Sequence, residues 1–260
     1  MLKRVVSALL ALPLLFFIII KNGFFIKFLI PIFAIIALYE FFNAFRQIGI
    51  EASKIIGFIS ILMMFVMTLK KITAESILLW LAFTMFCILI SNLLKKEFDA
   101  VASGITALGI YYIVFFAYHI LFILNSSYPQ LIWLVFITAW VTDTCAYFTG
   151  SFIGKRKLCP QISPKKTMEG AIGGIIGSVI ISLIFAYFIV PHIFIHCIWI
   201  GFIGSIMGQV GDLTASIFKR YTGIKDYGKI MPGHGGILDR FDSILFTAPT
   251  VYYYMIFLIK

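Results

Sequence analysis

Apolar residues in this chain come in long unbroken runs, separated by short stretches that hold nearly all of the charge. A hydrocarbon core takes about 20 residues of helix per crossing. That ruler divides the sequence into nine candidate spans, near 5–20, 24–44, 55–69, 76–94, 101–124, 130–150, 170–190, 193–218 and 241–259. Because backbone polar groups in lipid must be satisfied within each segment, the pattern predicts an all-α fold, a polytopic membrane helix bundle of about nine transmembrane helices. The first run follows Lys3-Arg4, as in a signal peptide. No small-residue cleavage site comes after it, however, and Lys21-Asn22-Gly23 leads straight into the next run, so a retained span is expected.

Composition agrees with this reading. At 62% hydrophobic and 12% charged residues, 260 residues carry more apolar surface than one soluble core could cover. No linker, low-complexity segment or sustained repeat divides the chain, so residues 1–260 are expected to form a single membrane domain. Spans within 1–129 would serve as scaffold, and 130–260 would carry the active site. The net charge of +10 does not point to nucleic acid, because the basic residues sit in short loops rather than on one extended face. Anionic lipid head groups or a phosphorylated substrate suit them better. The cysteines at 87, 145, 159 and 197 show no CxxC spacing, and neither a disulfide framework nor a zinc site is indicated.

If the N-terminus is cytoplasmic, sixteen Lys and Arg residues fall in cytoplasmic segments, and five (Lys21, Lys27, Lys70, Lys71 and Lys260) fall elsewhere. The two longest cytoplasmic loops, near 151–169 and 219–240, are then also the most basic. Asp143 and Asp212 lie near the cytoplasmic ends of their spans, and Asp239 and Asp242 open the last one. Glycines spaced four apart, Gly170 to Gly174, Gly173 to Gly177 and Gly204 to Gly208, predict close helix packing rather than a ligand role.

The densest chemistry is in DLTASIFKRYTGIKDYGKIMPGHGGILDRFD, residues 212–242, between two apolar stretches. An ionised side chain at the centre of a bilayer helix costs roughly 2.5–3.5 kcal/mol or more, so acids at the ends of spans call for a purpose. On helices, Asp212, Ser216 and Lys219 share one face, as do Asp239 and Asp242. Converging carboxylates suit a hard cation such as Mg²⁺, which takes one or two of them and fills its other positions with water and phosphate. Lysines and arginines from the same loops would neutralise phosphate oxygens, as phosphoryl or nucleotidyl transfer requires. Asp226, flanked by Lys225 and Lys229, is equally well read as a simple ion-pairing residue. Asp143, a lone acid in WVTDTCAYFTG, would contact a cation or a substrate base.

In MPGHGGILDR, Gly233, Gly235 and Gly236 allow backbone N–H groups to approach an anion, and His234 can donate to phosphate. In GKRKLCPQISPKKTMEG, residues Ser163, Lys165, Lys166 and Thr167 stand just before a span, where a helix N-terminus favours negative charge, although a purely topological role for these lysines is equally open. His192 and His196 have the spacing of metal ligands but no HExxH glutamate, and an interfacial role is expected. The run Lys95-Lys96-Glu97-Phe98-Asp99 reads as a short interfacial loop with internal charge pairing.

The stretch SIFKRYTGIKDYGKIMPGHGGILDRFD closely resembles the signature of the phosphatidate cytidylyltransferases, also called CDP-diacylglycerol synthases. Its elements stand in order: Ser216, Lys219-Arg220, Lys225-Asp226, Gly228, Pro232, His234-Gly235-Gly236, Asp239-Arg240 and Asp242, with Met231 as a mild departure before Pro232. Similarity extends to WVTDTCAYFTGSFIGK and SPKKTMEGAIGG. The resemblance implies an integral membrane enzyme that condenses CTP with phosphatidic acid to give CDP-diacylglycerol and pyrophosphate. It implies Mg²⁺ held at Asp212 and Asp239, with a monovalent cation such as K⁺ nearby. Lys219 and Arg220 would join these two aspartates in catalysis. Asp143, Ser163, Lys165, Lys166, Ser216, Lys225, Asp226, His234, Gly235, Gly236, Arg240 and Asp242 would surround the substrates. The expected setting is the bacterial inner membrane with the site facing the cytoplasm and lipids as neighbours; a homodimer is left open. Competing readings are a CTP-dependent polyprenol or phytol kinase, which would release CDP, and an ion-coupled transporter, which would place its acids at the midplane.

Overall fold

The computed structural model describes residues 24–70, 72–93, 99–230 and 235–259, and within them the apolar runs are helices. In chain order these are α1 Phe24–Arg46, α2 Lys54–Thr68, α3 Ala74–Leu93, α4 Ala100–Leu124, α5 Pro129–Ile153, α6 Met168–Ile189, α7 Pro191–Tyr221 and α8 Leu238–Ile259. All except α2 are long and apolar enough to cross a membrane, which gives seven candidate spans among the described residues. The protein is thus an all-α, multi-pass membrane bundle, although nine spans are not confirmed. The run at 5–20 lies outside the described residues, and the one at 55–69 is a helix of 15 residues. At 1.5 Å per residue, α2 is about 22 Å long against a hydrocarbon core of about 30 Å. One element was not foreseen. The basic stretch before α6 forms an antiparallel hairpin, β1 Lys157–Cys159 with β2 Ser163–Thr167, pairing Lys157 with Thr167 and Cys159 with Ser163.

Two compact units divide the described chain. The first runs through Leu121 and includes Thr222–Arg240; the second comprises Phe122–Tyr221 and the chain from Phe241 onward. The first unit has a core of large side chains. Phe41, Phe42 and Phe45 of α1, Met64 of α2, Trp80 of α3 and Ile110, Ile113 and Tyr118 of α4 are all buried. Trp80 satisfies its indole N–H by donating to the Ser60 carbonyl at 2.9 Å. Asp99 caps α4, its Oδ1 accepting from the Ala102 N–H at 2.8 Å. The other members of the expected 95–99 ion-pair loop lie outside the described residues.

The second unit is built on small side chains. Along α6 the buried residues are Gly170, Gly174, Ser178, Ser182 and Ala186, one every fourth position, while Ile172, Ile176, Ile180 and Ile184 are exposed. This inverts the pattern of a water-soluble helix, as expected where the surrounding solvent is hydrocarbon and packing depends on close approach. A Cβ at Gly174 would stand 2.9 Å from the Thr142 carbonyl oxygen of α5, and one at Gly201 of α7 would stand 2.7 Å from the Ser182 hydroxyl. Ser178 donates to the Gly201 carbonyl at 3.1 Å. The glycine spacing read from the sequence is therefore a packing stripe. Within α5 a π-helical turn, Ile137–Val141, comes just before Asp143; such turns widen the helix and re-aim the residues that follow.

Candidate active site

In the second unit, α5, the hairpin, α6 and α7 enclose a cavity of about 310 Å³ lined by Asp143, Tyr147, Ser151, Lys165, Lys166, Thr167, Gln209 and Asp212, among others. The local folding that shapes it starts at the hairpin. Thr167 caps α6 by accepting the Gly170 N–H at 3.1 Å. Glu169 ties the hairpin base to α6, its carboxylate accepting from the Lys155 N–H at 3.0 Å and the Arg156 N–H at 3.2 Å. Glycines at 150 and 170 leave room for the crossing, since a Cβ at Gly170 would stand 2.8 Å from the Ala146 carbonyl oxygen. The result places two lysines from β2 opposite acids from α5 and α7. Lys166 forms an ion pair with Asp212.

Asp242, near the start of α8, is buried and lies within electrostatic range of Asp212, Asp143 and Lys219. Its Oδ1 accepts the Ser243 N–H at 2.8 Å, and the Ser243 hydroxyl donates to Asp143 Oδ2 at 3.5 Å. Arg220, at the end of α7, donates from Nε to the Ile162 carbonyl of the hairpin turn at 3.2 Å. Gln209, one turn before Asp212, also lines the cavity and donates to the Ala171 carbonyl at 3.3 Å. It was not picked out in the sequence, where an amide among glycines carries no charge signal. Ser163 lies in β2 opposite Cys159, and Ser216 stands on α7 one turn beyond Asp212.

The first unit holds the other half of the motif. Asp239 Oδ2 accepts from the Tyr227 N–H at 2.8 Å and from the Gly236 N–H at 2.9 Å. Gly235 has φ +88°, a conformation that L side chains rarely adopt, and Asp226 packs beside it. Lys225, Asp226, Lys229 and Arg240 are exposed. His234 lies outside the described residues. Glu40 was missed altogether. It is buried at 3% exposure in α1, and its carboxylate accepts the Ile237 N–H at 3.1 Å and the Leu238 N–H at 2.9 Å. An acid inside an apolar span is the signal that could have found it. The two histidines thought interfacial pack against tyrosines: His192 beside Tyr128, with ring centroids 5.9 Å apart, and His196 Nδ1 3.3 Å from the Tyr254 hydroxyl.

The donors present are hard carboxylate oxygens, which suit Mg²⁺ rather than a soft metal. Among the described residues, no three His, Cys, Asp or Glu side chains converge to enclose an ion. Mg²⁺ commonly takes one or two protein carboxylates and completes its shell with water and phosphate, which is chemistry that carboxylate donors of this kind can serve.

A membrane bundle with acids and lysines lining one cavity suits an enzyme acting at the membrane on charged substrates, and the sequence comparison names the class. The chain belongs to the cytidylyltransferase family, whose model matches residues 2–258. Among curated relatives, the phosphatidate cytidylyltransferase of Staphylococcus epidermidis (strain RP62A) is 34% identical over 253 residues, covering 95% of both chains. Those of Staphylococcus saprophyticus and Staphylococcus aureus (strain COL) are 35% and 34% identical, again over 95% of each chain.

Proposed function

We infer that the protein is a phosphatidate cytidylyltransferase, making CDP-diacylglycerol and pyrophosphate from CTP and phosphatidic acid for phospholipid biosynthesis. The observation that carries this reading is the match along 95% of the chain to relatives bearing that name. The cavity supports it, because Lys165, Lys166 and the neighbouring acids give a polyphosphate and a cation complementary partners. In the reaction a phosphate oxygen of phosphatidate attacks the α-phosphorus of CTP, a new P–O bond forms, and the bond to the β-phosphate oxygen breaks as pyrophosphate leaves. No general base is required, since the attacking oxygen is already anionic.

Asp212 and Asp239 are the proposed Mg²⁺ ligands, and a monovalent cation such as K⁺ is proposed nearby. When bound, Mg²⁺ would supply charge to neutralise phosphate oxygens. Lys166 exchanges its contact with Asp212 for substrate phosphate, and Lys165, Lys219, Arg220 and Arg240 offset charge that develops on the departing pyrophosphate. Gly235, Gly236 and His234 contact phosphate, while Asp143 faces the nucleotide or a cation. Ser163, Ser216, Lys225, Asp226 and Asp242 complete the substrate surroundings. The basic loops face the cytoplasm of the bacterial inner membrane, as the charge asymmetry suggests, with membrane lipids as neighbours. Purified protein given CTP, phosphatidic acid and Mg²⁺ should release pyrophosphate and form the liponucleotide in equal amounts. Release of CDP would instead indicate a lipid kinase.

A further inference from the structure

We propose that Glu40 is a positioning residue of the catalytic loop: from α1 it accepts the N–H groups that open α8 and so holds Gly235–Leu238 in the shape that presents Asp239. This rests on the reading of Asp239 as a catalytic residue. The described residues just before α8 carry no capping side chain. Ile237 precedes the helix with an apolar side chain, and Gly235 and Gly236 have no side-chain oxygen, so the first N–H groups need an acceptor from elsewhere. Glu40 supplies it across 197 and 198 residues of sequence. A carboxylate is the strongest acceptor available at a helix N-terminus.

Two glycines show that the loop is shaped around this side chain. A Cβ at Gly236 would stand 2.5 Å from Glu40 Oε2, and one at Gly228 would overlap Oε1. Gly236 then donates its own N–H to Asp239, as does Tyr227. Consecutive peptide N–H groups are thus shared between two carboxylates, with Gly236 serving Asp239 while Ile237 and Leu238 serve Glu40. Loss of one acceptor leaves the other carboxylate on a loop that has no fixed shape.

The test uses the full-length protein in nanodiscs and compares Glu40→Gln and Glu40→Asp with wild type. Glu40→Gln keeps the size but turns an NH₂ toward a donor N–H; Glu40→Asp keeps both acceptors on a shorter arm. Without metal or substrate, hydrogen exchange at residues 235–238 should be faster in Glu40→Gln, with exchange across α2 to α4 unchanged. With substrates, kcat should fall about 10- to 100-fold and the Mg²⁺ concentration for half-activation should rise, as for other residues that orient a metal ligand. Glu40→Asp should recover part of both. The proposal is overturned by unchanged exchange at 235–238, by wild-type kcat and Mg²⁺ dependence in Glu40→Gln, or by loss of protection throughout α2 to α4. Were the wild type to form no liponucleotide, the functional reading would fall, and the exchange data would still decide whether Glu40 holds the loop.

Discussion

In the first unit, Asp239 and Glu40 accept backbone N–H groups, whereas in the second unit Asp212 pairs with the lysine side chain of Lys166. Peptide N–H groups cannot leave without unwinding the loop that carries them. A lysine can swing away on its flexible stem at little cost, and an ammonium bound to a carboxylate readily moves to a phosphate of greater charge. The contrast separates a fixed frame from an exchangeable one. Acids held by N–H groups are fixed in place, and an acid held by a lysine side chain can exchange its partner.

Substitutions should sharpen this contrast in a definite order. The largest effect is expected at the proposed metal ligands, where Asp212→Asn or Asp239→Asn should lower Mg²⁺-dependent turnover roughly a thousandfold or more, reflecting the several kcal/mol that a metal contributes at about 1.36 kcal/mol per factor of ten. Membrane insertion, followed by fractionation, should be intact in both. Next comes Lys166→Met, which removes the exchangeable partner of Asp212; kcat/KM for CTP should drop about a hundredfold, with partial recovery in Lys166→Arg. Gly235→Ala should cost less. Its positive φ carries a penalty of about 1–2 kcal/mol for an L side chain, so activity about tenfold down is expected, with faster exchange confined to the loop. Replacing the exposed Lys70 by Gln should change turnover by no more than about twofold, the usual range for surface positions. A large loss there would contradict the proposed sidedness.

Helices and their packing faces were legible because lipid imposes long apolar runs and close contact imposes small residues at fixed steps, as in Gly170 to Gly174. The acids at span ends were legible for the same reason, since Asp143, Asp212 and Asp239 interrupt hydrocarbon. What escaped depended on partners far apart in sequence or on backbone rather than side-chain character. The strand SPKKT has no apolar alternation, and its pairing with Lys157–Cys159 is fixed by the clasp of Glu169 and the cap at Thr167. The run at 55–69 matches α2 in length, offset by one residue, and was counted as a span although its 15 residues fall short of the about 20 that a crossing takes. Glu40 carries the same mark as Asp143, but its donors lie near the other end of the chain.

That separation bears on biosynthesis. Glu40 leaves the ribosome 197 residues ahead of Ile237, so α1 has to enter the bilayer with its carboxylate still waiting for the amides that will receive it. Until Ile237 and Leu238 have been made, the nascent protein therefore contains a polar defect in its earliest described helix, which water, a proton or a translocon surface must shelter. Arrival of these amides ends that exposure, and would tie the burial of an early helix to the shaping of the loop that carries Asp239.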